Sequence, residues 1–228
     1  MKSHFLCKSL LSISAVILVA GCASSPPPRE SGFLGDYSRL EKQDAPGGGT
    51  RLAYINPDFT PAKYSALWVD PVVFYPEPKP TENVSAAALN QIRQYMDEAV
   101  RSRLANKVRL VNHSGPGVAH VRLAITAVGA ETEALAPYQY IPIGLIITGA
   151  KAAIEGGRPQ NASLAIETQV LDSQTGQLLF ASVRGGTGEQ IRSTSQGQGS
   201  VEPQNLKALI DNWADGAAAQ VGRYVKPL

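Results

Sequence analysis

Few residues in this chain carry reactive chemistry. It has two cysteines, Cys7 and Cys22, and three histidines, His4, His113 and His120. A thiol is nucleophilic as its thiolate, and Cys22 is placed for one reaction in particular. It follows Leu18, Val19, Ala20 and Gly21, which close an apolar run (LLSISAVILVA, residues 10–20) preceded by Lys2 and Lys8. A positive n-region, an apolar h-region and small residues make a cleavable export signal. The run falls short of the roughly 20 apolar residues a membrane span needs. His113 lies in a turn-forming stretch (NHSGPG) and His120 on the polar side of an alternating segment. Neither has a second histidine, cysteine or carboxylate at metal-ligand spacing, so both are expected at the surface. There is no G-x-S-x-G elbow. Gly185-Gly186-Thr187-Gly188 is not followed by the Gly-Lys-Ser/Thr of a phosphate loop. The carboxylates Asp70, Glu131, Glu133, Glu167 and Asp172 are scattered without the pairing a glycosidase uses. The expectation is a protein that is not an enzyme and has no metal or small-molecule cofactor.

The segment Leu18-Val19-Ala20-Gly21-Cys22 resembles the bacterial lipobox. That resemblance implies recognition of Leu18 to Gly21 by a signal peptidase and cleavage before Cys22. The cysteine then carries an S-diacylglycerol and an N-acyl chain such as palmitate, a membrane anchor. Two or more chains anchor effectively permanently, where one binds marginally. Lipoproteins kept in the inner membrane typically have Asp after the cysteine. Ala23 therefore implies the outer membrane, with the domain facing the periplasm.

Removing residues 1–21 changes the charge balance. The chain has 21 Lys+Arg and 19 Asp+Glu, and Lys2 and Lys8 leave with the signal, so basic and acidic residues become equal in number. Neutrality without like-charge runs argues against nucleic-acid binding, which needs clustered positive charge. With Cys7 gone and Cys22 acylated, the folded part has no thiol and no disulfide, and core burial alone must hold it together. The remaining length suffices for one domain plus a tether.

Residues 22–50 are expected to be the lipidated N-terminus and tether. The stretch ASSPPPRE (23–30) favours extended polyproline II. SGFLGDYSRL (31–40) interrupts it with Phe33, Leu34, Tyr37 and Leu40 at helical spacing, as a segment docking on the domain near 32–40 or as a partner-binding peptide. QDAPGGGT (43–50) reads as a second flexible stretch. Residues 51–228 are expected to form a single domain.

Within it, residues 66–74 (ALWVDPVVF) read as a strand that Pro71 confines to an edge or a bulge. Residues 85–104 form a helix capped by Ser85, with a stripe of Leu89, Ile92, Met96, Val100 and Leu104. Residues 107–111 are a short strand. Segments 119–128, 162–171 and 178–184 alternate as antiparallel strands covered on one face, with DSQTGQ (172–177) as a hairpin turn. Residues 202–224 close the chain as a helix with Leu206, Leu209, Ile210, Trp213, Ala217, Val221 and Tyr224 inward. The fold class is α+β: a two-layer sandwich, mainly an antiparallel sheet of about five strands covered by two amphipathic helices. An insertion (IPIGLIITGAKAAI, 141–154) preceded by Tyr138 and Tyr140 reads as a short buried helix. Alternatively it is a membrane or subunit contact through Tyr138, Tyr140, Ile143, Leu145 and Ile146.

The stretches SGFLGDYSRL, YINPDFTPAKYSALWVDPVVFYP and IETQVLDSQTGQLLFAS resemble a family of uncharacterised bacterial lipoproteins, domain of unknown function 3313 (DUF3313), over about residues 31–224. The resemblance implies one domain in the cell envelope and supplies no activity. The functional expectation is an anchored, non-enzymatic binding, scaffold or accessory factor of the envelope with a protein partner. The alternatives are an oligomeric outer-membrane assembly using 141–154 and, behind it, a periplasmic envelope-polymer hydrolase.

Overall fold

The computed structural model describes residues 30–81, 83–131, 160–191 and 199–228. They comprise β1 (Glu41–Asp44), β2 (Thr50–Ile55), β3 (Ala66–Val69), β4 (Val73–Phe74), α1 (Ala86–Ala105), β5 (Arg109–Val111), β6 (Val118–Glu131), β7 (Gln160–Asp172), β8 (Leu178–Ile191) and α2 (Pro203–Val221). Cys22 with residues 18–21 and Ala23, and the insertion with Tyr138, Tyr140, Ile143, Leu145 and Ile146, lie outside the described residues.

The α+β class holds, with eight strands rather than about five. The sheet order is β1-β2-β8-β7-β6-β3-β5, and β4 also pairs with β6. It is a mixed sheet: β3 runs parallel to both β5 and β6, and β4 runs parallel to β6, while the other pairs are antiparallel. The strand read at residues 66–74 is interrupted at Asp70–Val72, where Pro71 has no N–H to give a ladder. The chain resumes as β4 beside Ala124 and Ile125 of β6.

Both helices follow their apolar stripes. Ser85 Oγ accepts from the Ala88 N–H at 3.0 Å, and α1 buries Leu89, Ile92, Met96, Val100 and Leu104 as expected. The second helix starts with Pro203 behind a Glu202–Asn205 capping box. It buries Leu206, Ile210, Trp213, Ala214, Gly216, Ala218 and Val221. It ends three residues before Tyr224, and Ala217, expected inward, is exposed. Arg103 of α1 ties the helices together by donating to Asp211 at 2.6 Å and Asp215 at 2.5 Å.

Two segments depart further from expectation. The stretch 43–50 is the end of β1 and a tight turn into β2, not a flexible link. Gly47, Gly48 and Gly49 all have positive φ (79°, 94° and 73°), which side chains with a Cβ rarely adopt. The turn seats against α2, where a Cβ on Gly216 would lie 2.6 Å from the Pro46 carbonyl carbon. The sheet is also covered on both faces, not one. Residues 31–40 cross the face opposite the helices in bends and turns instead of a helix, and bury Phe33 and Leu34.

Candidate functional site

The face opposite the helices holds a polar cluster under the N-terminal strap. Glu167 of β7 is fully buried. The Tyr37 hydroxyl donates to its Oε2 at 2.7 Å, while Oε1 has no partner among the described residues. Burial, and then the Glu167 carboxylate, hold the Tyr37 phenol above its ordinary value, against a lowering bond from Ser31. Gln169 Nε2 donates to the Leu34 carbonyl at 3.3 Å and itself accepts from Arg122 at 2.9 Å. Arg122 lies over the Phe33 ring, and Arg39 over Tyr54 of β2. The strap thus spans the sheet from β6 to β2, and the reading of residues 31–40 as a docked segment describes it.

His120 is not the surface residue its position suggested. Its side chain is 17% exposed and its Nε2 lies 2.9 Å from Asp70 Oδ2, an approach too oblique for a hydrogen bond. Trp68, its register partner on β3, stacks on the ring with centroids 3.9 Å apart. Parallel pairing of β3 with β6 brings the imidazole and the carboxylate together across fifty residues of sequence. A hydrolytic triad needs a hydrogen bond between base and orienter, which this pair lacks among the described residues. Neither group hydrogen-bonds a serine, threonine or cysteine side chain among the described residues. His113 is exposed in its turn, its Nδ1 2.9 Å from the Ser114 carbonyl. Among the described residues, no three histidines, cysteines or acids gather as metal ligands.

The helix side holds a different kind of site. A cavity of about 170 Å³ lies between the helices and the sheet, walled by Met96, Leu123, Ile166, Val170, Trp213 and similar apolar side chains. It exists because β6, β7 and β8 present Val121, Leu123, Ile166, Thr168, Val170, Phe180, Ser182 and Arg184 to the helices by strand alternation. Two of its walls are cationic. Arg184 is 8% exposed and donates to the carbonyls of Pro46 at 2.8 Å and Gly48 at 2.7 Å, which the glycine turn aims at it. Its guanidinium also lies 4.7 Å over the Trp213 ring. Arg51 of β2 sits over Phe180, and its buried Nε has no partner. Burial, and next the charge of Arg51, bring Arg184 down to about 10. Burial also lowers Arg51, with Tyr224 opposing. No carboxylate pairs with either arginine among the described residues. The cavity reaches solvent past exposed Ala217 and the half-buried Gln220 and Tyr224.

Reading residue types missed this site. The sequence pattern places Arg184 at the end of a strand and Arg51 at the start of the domain. The available signal was in residues 178–184 (LLFASVR), where Leu179, Ala181 and Val183 alternate with a set that opens with Leu178 and Phe180 and ends at Arg184, so apolar residues point to both faces of the strand. An arginine in such a strand is the exception that needs an explanation.

Fold and site together define an α+β domain with a strapped sheet on one side and a basic-walled apolar cavity on the other. The chain belongs to the family described as protein of unknown function (DUF3313), whose model matches residues 29–217. It is 30% identical over 208 residues to the uncharacterized lipoprotein YdcL of Escherichia coli K12, covering 90% of this chain and 92% of that protein. The same figures hold for YdcL of Escherichia coli O157:H7. Among solved structures, the PelC dodecamer from Paraburkholderia phytofirmans matches at 11% identity and a TM-score of 0.34, over 78% of this chain and 96% of that one. Among the described residues no helix is long and apolar enough to cross a membrane.

Proposed function

We propose that this protein is an outer-membrane lipoprotein whose periplasmic domain acts as a non-enzymatic binding factor of the cell envelope. The observation that most supports this is the docking of residues 31–37, where Tyr37 bonds to Glu167 and Leu34 accepts from Gln169. The docked strap ends the tether at the domain surface. Eight residues, 23–30, separate Cys22 from it. In extended polyproline form they reach on the order of 25 Å. A di- or triacylated Cys22 would hold the domain within that distance of the bilayer. The YdcL relatives, named as lipoproteins, support the same reading.

On this reading a protein partner would meet the end of the sheet where Glu131 pairs with Asn161 and Gln160 with Ile191. The insertion carrying Tyr138, Tyr140, Ile143, Leu145 and Ile146 leaves the sheet there.

Radiolabelled palmitate and membrane fractionation test the anchor. The wild type should take up label and sediment with the outer membrane. Cys22→Ala should lose both while its isolated domain keeps the same unfolding midpoint. In-cell crosslinking from the insertion should recover one reproducible envelope protein. An unlabelled wild type, or a domain unfolded by Cys22→Ala, would overturn the reading.

A further inference from the structure

The cavity between the helices and the sheet combines two features that rarely occur together. Its walls are almost wholly apolar, and two guanidinium groups reach it without an acid to pair with among the described residues. An isolated buried cation is costly and is normally paired. Here, among the described residues, Arg184 is compensated by two backbone carbonyls and the face of Trp213. Arg51 keeps its Nε unsatisfied. The cost is borne twice, by like charges close enough for one to bear on the other.

We infer that the cavity is a binding site for an amphiphile with one anionic head and an alkyl tail, its head held by Arg51 and Arg184. This rests on reading the domain as a binding factor at a membrane surface, where such molecules occur as fatty acids and as phosphate-headed lipids. An anionic head would supply the missing counter-charge to the two guanidinium groups that wall the cavity. Arginine suits that role because its planar fork matches carboxylate and phosphate oxygens. The tail would enter the space beneath Met96, Leu123, Ile166 and Trp213. That space, about 170 Å³, slightly exceeds the roughly 150 Å³ apolar cavities that take up benzene. It therefore takes the first part of an alkyl chain, with the remainder along the open mouth by Ala217 and Tyr224.

Two alternatives are weaker. The His120–Asp70 pair lies on the other face, and no serine, threonine or cysteine side chain bonds to it among the described residues. Glu167 is fully occluded by the strap and offers no entry.

The test titrates the purified domain with octanoate, octyl phosphate, octanol and octyltrimethylammonium, by calorimetry and by Trp213 emission in a Trp68→Phe background. Octanoate, octyl phosphate or both should bind with one site, and whichever is tighter identifies the head. Octanol and the ammonium should bind at least about tenfold more weakly, the factor expected when a charge-assisted hydrogen bond is lost. Arg51→Gln, which removes no hydrogen bond of the fold, should weaken the anions by a similar factor and leave octanol unchanged. Arg184→Lys, which keeps a donor for the glycine turn, serves as the second variant. Binding of octanol or the ammonium as tightly as the anions would overturn the inference, as would anion affinity unmoved by both substitutions, or no binding at millimolar octanoate and octyl phosphate. Palmitate labelling of Cys22 reads out the anchor separately, so either proposal can fail while the other stands.

Discussion

The two faces of the sheet treat their buried polar groups in opposite ways. Under the strap, Glu167 has a neutral hydroxyl from Tyr37, which lies 130 residues earlier in the sequence, so a remote piece of chain closes the face. Under the helices, Arg51 and Arg184 lie beside open volume, and no acid from the described residues answers them. A sealed polar group fixes structure, whereas a desolvated charge beside a cavity is arranged for something that arrives. The first face reads as the part of the molecule that manages the tether, the second as the part that binds.

The comparison can be broken or sharpened by substitutions of decreasing effect. The largest should come from the helix layer, whose buried side chains seal one whole face of the sheet. Ile210 is fully buried, and Ile210→Ala should cost about 2–5 kcal/mol in urea unfolding. A loss below about 1 kcal/mol would mean that the cavity relaxes to absorb the change. On the strapped face, Tyr37→Phe leaves Glu167 without its donor and should cost about 1–3 kcal/mol. It should also open residues 31–40 to protease before the rest of the domain. Equal cleavage rates in both proteins would show that the strap is held by Phe33 and Leu34 alone.

The third effect depends on pH. Burial, then a hydrogen bond to a carboxylate, pushes Tyr64 (to Asp172) and Tyr95 (to Asp211) up to about 12 from the usual 10. Protons are therefore held more tightly in the folded state, and the stabilisation is whole below about pH 10 and lost as pH rises toward about 12. Unfolding midpoints at pH 9 and pH 11.5 should differ in the wild type and converge in the Tyr64→Phe, Tyr95→Phe double variant. An unchanged difference would place the alkaline loss elsewhere. The smallest effect should be Arg122→Ala, which removes a cation over Phe33 and a bond to Gln169 at a partly buried site. About 1 kcal/mol is expected, read as a shift in urea midpoint.

Helix α1 was legible in the sequence because its stripe and its Ser85 cap are local signals. The β7–β8 hairpin was legible for the same reason, since DSQTGQ supplies turn chemistry and the flanks alternate. What escaped depends on distant chain. Strand β1 is four polar residues, EKQD, with no period to detect. The place of β3 inside the sheet, next to the edge, rests on parallel pairing with β5 and β6, which no short pattern encodes. That pairing also hid the approach of Asp70 to His120. The apolar residues of the strap were noticed at helical spacing, but the sheet they cover, not a helix, decides their conformation. The meeting of the two arginines in one cavity escaped for the same reason: only when β2, β8 and α2 close around them do Arg51 and Arg184 come together.

Amide hydrogen exchange of the full chain, with and without octanoate, tests the division between the two faces most directly. The account predicts slowed exchange in residues 46–51, 180–184 and 213–224, around the cavity, with residues 31–40 unchanged. No slowing around the cavity, or slowing confined to the strap, would contradict it.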